Sequence, residues 1–597
     1  MSISANYPAL RPALLLDFAN SQQLDPRVTF SRSTTAPYYD GKTSVLAEQN
    51  LFLQSNAFTN SYWYYIGGIV SVASGISDPI GGTTAYQISA TSANTNNGLF
   101  ENTVGAPLGS TISIYAKAGN VNYLAIGSAN PNAWASFNLS TGNPGNSFGC
   151  TTSMVSLGGG WYRCIMANIT SALSRILFAM KSTDVTTDPW SNGTVAIGDY
   201  IYVWQAQLEQ RSSVTAYNAT TTTALTNYIP QLLTAPINQP RFDFNPTTGE
   251  SLGLLIEQSS TNLALWSQDY TQATWAKSNT TVIGNTIVAP DGTITGNKIV
   301  ASATNSTHTI GQTISVTSGS TYTLSSYFKA GEETTGSLAI SNPPFPRVKF
   351  DLLAGTILSS QGGGTGTITA VGDNTYRCTM TFTAPVSSIP CFLVVRDIDA
   401  NWTGNGYGGI FAWGAQLEAL AFPTSYIPTT SAQVTRANDN ASMTGTNFSS
   451  WYNQGQGTVY AESVCGAATS NGHDTFGVTS ANNNNNAFYG LQYTNSTYTS
   501  YVRVNSTMVA SFIVSTTPTV GSSYKLAMSY SANNFAASFN GATPLTSSSG
   551  AVPPNMNQLQ FGDLYSGAGQ VLNGRIKKFV FYPTQLTNAQ LQSLTGS

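Results

Sequence analysis

Apolar and polar residues alternate over short segments along the whole chain. Clear examples are TISIYAKAG at 111–119, WYRCIMANI at 161–169 and TYRCTMTFTA at 375–384. Because successive side chains of a strand point to opposite faces of a sheet, a period of two predicts half-buried β-strands. Clusters of Gly, Pro and Asn separate these segments, and no long segment has a convincing helical period. The pattern predicts an all-β fold of tandem β-sandwich, or jelly-roll, modules.

The strand pattern occurs twice at a nearly constant offset. The segment NLFLQSNAFTNSYW begins at Asn50 and its counterpart NLALWSQDYTQATW begins at Asn262, so the offset is 262 − 50 = 212. Four further pairs follow in the same order: YAKAG and YFKAG, FNLSTG and FDLLAG, WYRCIM and TYRCTM, and VWQAQLEQ and AWGAQLEA. These ordered matches predict two copies of one module of about two hundred residues.

The repeat divides the chain into five predicted parts. They are an N-terminal segment 1–49, a first repeat 50–218, a connector 219–261, a second repeat 262–435 and a third domain 436–597. The third domain ends with GRIKKFVFYPTQLTNAQLQSL, which predicts a last strand followed by a short helix capped by Thr587.

The composition excludes some classes of partner. Charged residues make up 8% of the chain, against about 25% in ordinary soluble domains. With 23 Lys and Arg residues and a net charge of −3, no basic face is available for nucleic acid. No stretch approaches the ~20 apolar residues of a membrane span. Charged residues normally protect sheet edges, so their scarcity favours a homo-oligomer that covers those edges.

Few residues are suited to catalysis or metal binding. The two histidines, His308 and His473, fall in different domains, and the five cysteines form no CxxC pattern. We therefore expect no metal, no cofactor and no catalytic residue. Asp397 and Asp399 are one close pair of carboxylates, and on a strand they would share a face that suits a cation or a sugar hydroxyl. The favoured interpretation is that they and Arg396 solvate an exposed edge, and we predict that the chain is not an enzyme.

Aromatic residues fall into two groups. Four tryptophans occupy matched repeat positions and are predicted to pack in the core: Trp63, Trp275, Trp204 and Trp413. The glycan-binding candidates are unmatched aromatics in polar turn sequences: Trp134, Trp190, Trp402 and Tyr407. An aromatic ring in such a loop is a ligand platform, a subunit contact or a plug on the end of the sandwich, and the sequence leaves these alternatives open.

Several long motifs resemble bacteriophage fibre and head-spike proteins. They are LDPRVTFSRST in the lead segment, RFDFNPTTGESLGLLIEQSSTNL in the connector and WGAQLEALAFPTSYIPTTSAQVTRAND at the end of the second repeat. The resemblance covers nearly the whole chain to about Asp439 and implies carbohydrate-binding-like sandwiches on a virion. Through GRIKKFVFYPTQLTNAQLQSL and its spaced strands, the third domain is similar to laminin-G/concanavalin-like lectin sandwiches.

The resemblance implies a structural virion protein that acts as an adhesin for host-surface or environmental glycans. The N-terminal segment 1–49 is then expected to attach the chain to capsid or tail proteins, or to form a trimer. The expected location is the virion surface, after synthesis in the host cytoplasm. Two alternatives stay open: a capsid or tail decoration protein without glycan binding, and a capsule-depolymerising spike enzyme.

Overall fold

The fold is all-β, as the alternating pattern predicts, and this prediction is confirmed. The computed structural model describes residues 11–66, 70–95, 97–101, 104–128, 132–189, 192–398, 400–480 and 483–596. Within these ranges the helices are short, and none has the length and apolar character needed to cross a membrane.

The N-terminal segment contributes three strands and one helix. They are β1 (Leu14–Asp17), α1 (Phe18–Ser21), β2 (Thr29–Ser31) and β3 (Ala36–Asn50).

The first repeat is a sandwich of two six-stranded antiparallel sheets. Its strands are β4 (Tyr64–Tyr65), β5 (Val70–Ile76), β6 (Ala85–Ala90), β7 (Gly98–Glu101), β8 (Thr111–Ala118), β9 (Tyr123–Gly127), β10 (Trp134–Asn138), β11 (Asn143–Phe148), β12 (Thr151–Gly158), β13 (Trp161–Ala167), β14 (Ile176–Lys181) and β15 (Tyr200–Glu209). The sheet orders are β11-β10-β9-β14-β7-β4 and β12-β13-β8-β15-β6-β5. The alternation of side chains along each strand determines which residues enter the core. On β13, Cys164 and Met166 point into the core, and the neighbouring Arg163 does not.

The connector contributes β16 (Leu225–Ala235), β17 (Phe242–Phe244) and β18 (Ser251–Ile256). The second repeat then forms a sandwich like the first. Its strands are β19 (Ser260–Asn262), β20 (Ala276–Ser278), β21 (Thr280–Ile287), β22 (Gly296–Ala301), β23 (Asn305–Ser306), β24 (His308–Ser315), β25 (Thr321–Ala330), β26 (Thr335–Ile340), β27 (Arg347–Asp351), β28 (Thr356–Gln361), β29 (Thr365–Gly372), β30 (Thr375–Thr383), β31 (Ser388–Val395), β32 (Trp402–Thr403) and β33 (Gly409–Glu418). Its main sheets are β20-β24-β31-β26-β27-β28 and β21-β22-β33-β25-β30-β29.

The remaining elements belong to the terminal sandwich, apart from the first of them, which pairs with β19 in a separate two-stranded sheet. They are β34 (Val434–Arg436), β35 (Asn440–Thr444), α2 (Thr446–Ser449), β36 (Gln456–Val464), β37 (His473–Thr479), β38 (Ala487–Tyr493), β39 (Tyr498–Val504), β40 (Thr507–Val514), β41 (Ser523–Ser531), β42 (Asn534–Phe539), β43 (Leu545–Ser547), β44 (Gln558–Phe561), β45 (Gly574–Tyr582) and α3 (Asn588–Gly596). The predicted last strand and capped helix are confirmed. Thr587 Oγ1 accepts the Gln590 backbone N–H at 3.3 Å, and Gln590 Oε1 accepts the Thr587 backbone N–H at 2.9 Å, which is a capping box.

The terminal sandwich takes strands from three distant parts of the chain. One sheet has the order β17-β18-β45-β36-β41-β42-β43, with β1 also paired to β45, and the other has the order β2-β35-β44-β37-β38-β39-β40. The chain leaves for the first repeat after Asn50 and returns at Leu225, and these two residues are Cα partners in the ladder between β3 and β16. Asn262 and Val434 are partners in the same way at the second repeat. Each repeat is therefore an insertion carried on a two-stranded stalk.

A buried group of charges joins the segments that build this sandwich. Arg32 Nη1 lies 2.9 Å from Asp439 Oδ1, and Arg241 Nη2 lies 2.5 Å from Asp439 Oδ2 and 2.8 Å from Glu257 Oε2. Burial lowers the pKa of Arg32. Burial alone would raise the pKa of Glu257, but Arg436 and Arg241 hold it below its ordinary range. The charges fix the N-terminal segment and the connector to the start of the terminal domain.

Candidate functional site

The matched residues of the two repeats make the same structural hydrogen bonds. Asn50 Nδ2 donates to the Ala206 carbonyl and Asn262 Nδ2 donates to the Ala415 carbonyl, both at 3.0 Å. Three further contacts recur as pairs: Ser55–Tyr217 and Ser267–Tyr426, Thr215–Glu209 and Thr424–Glu418, and Trp204–Thr84 and Trp413–Thr295. The four matched tryptophans are at most 3% exposed. The prediction that they pack in the core is confirmed, and the functional surface must be sought among residues that differ between the repeats.

Trp134 is not available as a sugar platform. It lies on β10, is 4% exposed, and packs with Leu177 and Val185 in a small apolar cluster. The prediction that it binds a glycan is therefore corrected, because a buried ring presents no face to a ligand. Trp190 lies outside the described residues.

Trp402 is covered by other side chains. The Arg396 guanidinium lies 4.1 Å from its ring centroid, and the His308 ring meets it edge-on at 4.5 Å. Arg396 is paired with Glu333, and Asp397 lies 2.8 Å from Lys349. This arrangement fits a plug on the end of the sandwich. It also agrees with the favoured interpretation of Arg396 and Asp397 as edge charges, while Asp399 lies outside the described residues.

Tyr407 is half-buried, and its backbone N–H donates to Asn405 Oδ1 at 3.2 Å. Burial is the main cause that raises its pKa, followed by the carboxylates of Glu332 and of Asp78. Among the described candidates, Trp134 and Trp402 are covered, and the assignment of Tyr407 to glycan binding stays a prediction.

The histidines are held by ordinary hydrogen bonds. His473 Nδ1 lies 2.7 Å from the Val571 carbonyl, and its Nε2 lies 2.9 Å from Thr469 Oγ1. Burial lowers the pKa of His473. Among the described residues, no group of three or more His, Cys, Asp or Glu is placed to hold a metal ion.

An open cleft of about 760 Å³, here called the connector cleft, lies where the connector joins the second repeat. Its lining comes from four separate segments: 258–263, 315–322, 419–420 and 433–435. Its volume falls in the range of roughly 300–1,000 Å³ that is usual for ligand pockets. Sequence reasoning missed this cleft because its four segments are far apart in the chain, and the motifs that cover three of them do not show that the fold brings them together.

The lining of the connector cleft is polar and uncharged. Hydroxyl and amide side chains are contributed by Gln258, Ser259, Ser260, Thr261, Ser315, Thr317, Gln433 and Thr435, and apolar walls by Leu263, Val316, Tyr322, Ala419 and Leu420. The Tyr322 ring is 4% exposed, and its hydroxyl accepts the Thr317 backbone N–H at 2.8 Å. Hydroxyls and amides both donate and accept hydrogen bonds, so the cleft suits a neutral ligand rich in hydroxyl groups.

No family model matches the chain, and no curated protein matches it. Similar solved structures include the N-terminal CBM22-1-CBM22-2 tandem domain from Paenibacillus barcinonensis Xyn10C, with 10% identity, a TM-score of 0.18, and coverage of 64% of this chain and 100% of that one. The LG1-3 region of the laminin α2 chain has 9% identity and a TM-score of 0.16, over 81% of this chain and 94% of that one. TM-scores this low carry no argument about the fold or the function of this chain.

Enzymes also stand among the similar structures. Trypanosoma rangeli sialidase in complex with the inhibitor DANA has 10% identity and a TM-score of 0.20, over 89% of this chain and 99% of that one. The prediction that the chain is not an enzyme is contradicted by this finding and is withdrawn. So low a TM-score assigns no reaction to the chain. Hydrolysis of a bound polysaccharide therefore has to be measured together with its binding.

Proposed function

We propose that this chain is a bacteriophage virion protein, a fibre or head spike, that binds uncharged glycans of a host surface or of the environment. The observation that carries the proposal is the connector cleft, which combines a ligand-sized volume with a lining free of charged side chains. Sugars bind through hydroxyl groups and through their apolar C–H faces. The cleft supplies hydroxyls and amides for the former, and Leu263 and Leu420 for the latter.

In this proposal the chain is a homo-oligomer, with a trimer as the expected state. Support comes from exposed strand edges without charge, such as β28, whose residues 356–361 contain no charged side chain and are mostly exposed. The N-terminal segment joins the chain to capsid or tail proteins. Because β1 and β2 pair within the terminal sandwich, that sandwich would lie on the virion side. Several copies on one particle would convert weak single-site binding into useful avidity.

The test is titration of the purified chain with lipopolysaccharide O-antigen, capsular polysaccharides and neutral environmental polysaccharides. We expect saturable binding with a Kd of about micromolar to millimolar, since one open site provides few contacts. Ser315→Arg, which places a long charged side chain in the cleft, is expected to abolish it. Ser548→Arg makes the same change at an exposed loop residue of the terminal sandwich and is expected to bind normally.

Release of reducing ends is measured in the same samples. A folded wild type that binds none of these glycans contradicts the proposal and favours the decoration protein. Release of reducing ends by wild type would replace simple binding with depolymerisation.

A further inference from the structure

We infer that the two repeats differ in ligand binding: the second holds an uncharged oligosaccharide in the connector cleft, and in the first the counterpart of this cleft is closed by Arg211 and Gln49. The inference rests on the proposed function, and it names the site and the ligand class. It predicts one bound oligosaccharide per chain despite the internal repeat.

Arg211 and Leu420 occupy the same backbone position in the two repeats. Each follows the repeated QLE strand by two residues, and the offset 420 − 211 equals 209, as it does for Glu418 and Glu209. The backbone contacts agree. Thr111 Oγ1 donates to the Arg211 carbonyl at 2.8 Å, and Thr323 Oγ1 donates to the Leu420 carbonyl at 2.9 Å. The repeats therefore differ here in the side chain and not in the path of the chain.

The Arg211 side chain crosses the region where the second repeat has its cleft. Its Nη2 donates to the carbonyls of Leu46 at 2.9 Å and Ala47 at 3.3 Å. At the repeat offset of 212, these residues correspond to Gln258 and Ser259, which line the connector cleft. The Arg211 side chain is 11% exposed, and its Nε lies 3.6 Å from Glu209 Oε1.

A second difference acts in the same direction. Gln49 is 5% exposed; its Oε1 accepts the Gln210 backbone N–H at 2.5 Å, and its Nε2 donates to Thr226 Oγ1 at 3.4 Å. The counterpart of Gln49 is Thr261, whose hydroxyl lies 2.8 Å from Thr435 Oγ1. A short hydroxyl side chain thus replaces a long amide, and Leu420 replaces a long guanidinium. Both replacements leave space on the second repeat.

The absence of charged side chains from the lining of the connector cleft favours a neutral ligand over an anionic one. The charged side chains next to the cleft have partners: Glu418 Oε1 accepts from Ser260 Oγ at 2.7 Å, and Arg436 Nη2 donates to the Gln258 carbonyl at 2.7 Å. An anionic sugar placed in the cleft would lose water without gaining a counter-charge from its lining. A neutral oligosaccharide does not have this cost.

The test uses calorimetric titration of the full chain with cellotriose, xylotriose, maltotriose and N-acetylchitotriose, with trigalacturonic acid as the anionic probe. We expect one or more neutral probes to bind with a stoichiometry of one per chain, and trigalacturonic acid not to bind. Leu420→Arg, which copies the first repeat, should weaken binding by at least about tenfold. Leu353→Arg, the same change at a 68% exposed residue of the same repeat, should leave the Kd unchanged. Thr261→Gln is the second closing variant, to be used if Leu420→Arg does not fold.

The outcomes separate this inference from the proposed function. Two sites per chain, binding that survives a folded closing variant, or equal binding of the anionic probe overturns the inference and leaves glycan binding in place. A folded wild type that binds neither these probes nor the polysaccharides overturns both.

Discussion

Asp439 shows how much one residue contributes to the molecule. Its two carboxylate oxygens contact Arg32 and Arg241, and its Oδ2 also accepts the Glu257 backbone N–H at 3.0 Å. The three side chains come from the N-terminal segment, the connector and the start of the terminal domain. Asp439 and both arginine side chains are fully buried, so no solvent screens their charges.

We predict that Asp439→Asn lowers the free energy of unfolding of the terminal sandwich by about 3–5 kcal/mol, because a buried charge loses its partner. Hydrogen–deuterium exchange in β36 and β45 measures this domain separately from the repeats. The control is Glu250→Gln, which breaks the pair with Lys577 at a 58% exposed side chain and should cost less than about 1 kcal/mol. Equal losses in the two variants would contradict a structural role for the buried charges.

At the scale of the element, strand β1 and helix α1 close the terminal sandwich from the opposite end of the chain. Leu14, Leu16 and Phe18 are buried in its core, and β1 pairs with the last strand, β45. Leu15 lies between two of these residues and is 54% exposed. The alternation in LLLDF is therefore that of an edge strand with one buried face.

The prediction at this scale concerns Phe18→Ala. Phe18 meets the Phe561 ring edge-on at a centroid distance of 5.7 Å, and its truncation should cost the terminal sandwich about 3–5 kcal/mol. Exchange in β33 of the second repeat should not change. Leu15→Ala is the matched control, and as a surface change it should stay within about 0.5 kcal/mol. If Phe18→Ala has no larger effect than Leu15→Ala, the N-terminal segment is not part of this core.

At the scale of the whole molecule, the chain is one sandwich with two inserted modules and not a row of independent domains. The strands on either side of each insertion pair with each other: β3 with β16 at the first repeat, and β19 with β34 at the second. The two ends of each insertion are therefore neighbours in a ladder. In contrast, residues 436–597 by themselves lack β1, β2, β17 and β18, which complete the two sheets.

We predict that the first repeat can be removed without unfolding the terminal sandwich. Residues 51–224 are replaced by an Asn-Gly turn that joins Asn50 to Leu225, because this dipeptide suits a two-residue hairpin loop. Cooperative thermal unfolding and protected exchange in β45 should remain. Residues 436–597 expressed alone should show neither. Cooperative unfolding of that isolated piece would refute the single-sandwich architecture.

The sequence by itself determined the strand content, the repeat and the burial of the matched tryptophans, because side-chain alternation and ordered matches depend on local spacing. It also indicated that Trp204 and Trp413 are structural, since matched positions keep matched contacts. The sequence did not predict which strands pair, because the alternation of apolar and polar residues indicates where a strand is but not which strand lies beside it. The five predicted domain boundaries remain predictions, although they separate segments that pair in the structure.

The candidate site depended on the tertiary structure for the same reason. The isolated aromatics Trp134 and Trp402 looked exposed in polar turn sequences, but neighbouring segments cover their rings. The connector cleft is formed by four segments that only the fold brings together. We infer that it is open because Thr261 and Leu420 are shorter than Gln49 and Arg211, their counterparts in the first repeat. Local sequence determines which face of a strand is apolar, whereas the surface left open for a ligand is decided by long-range packing.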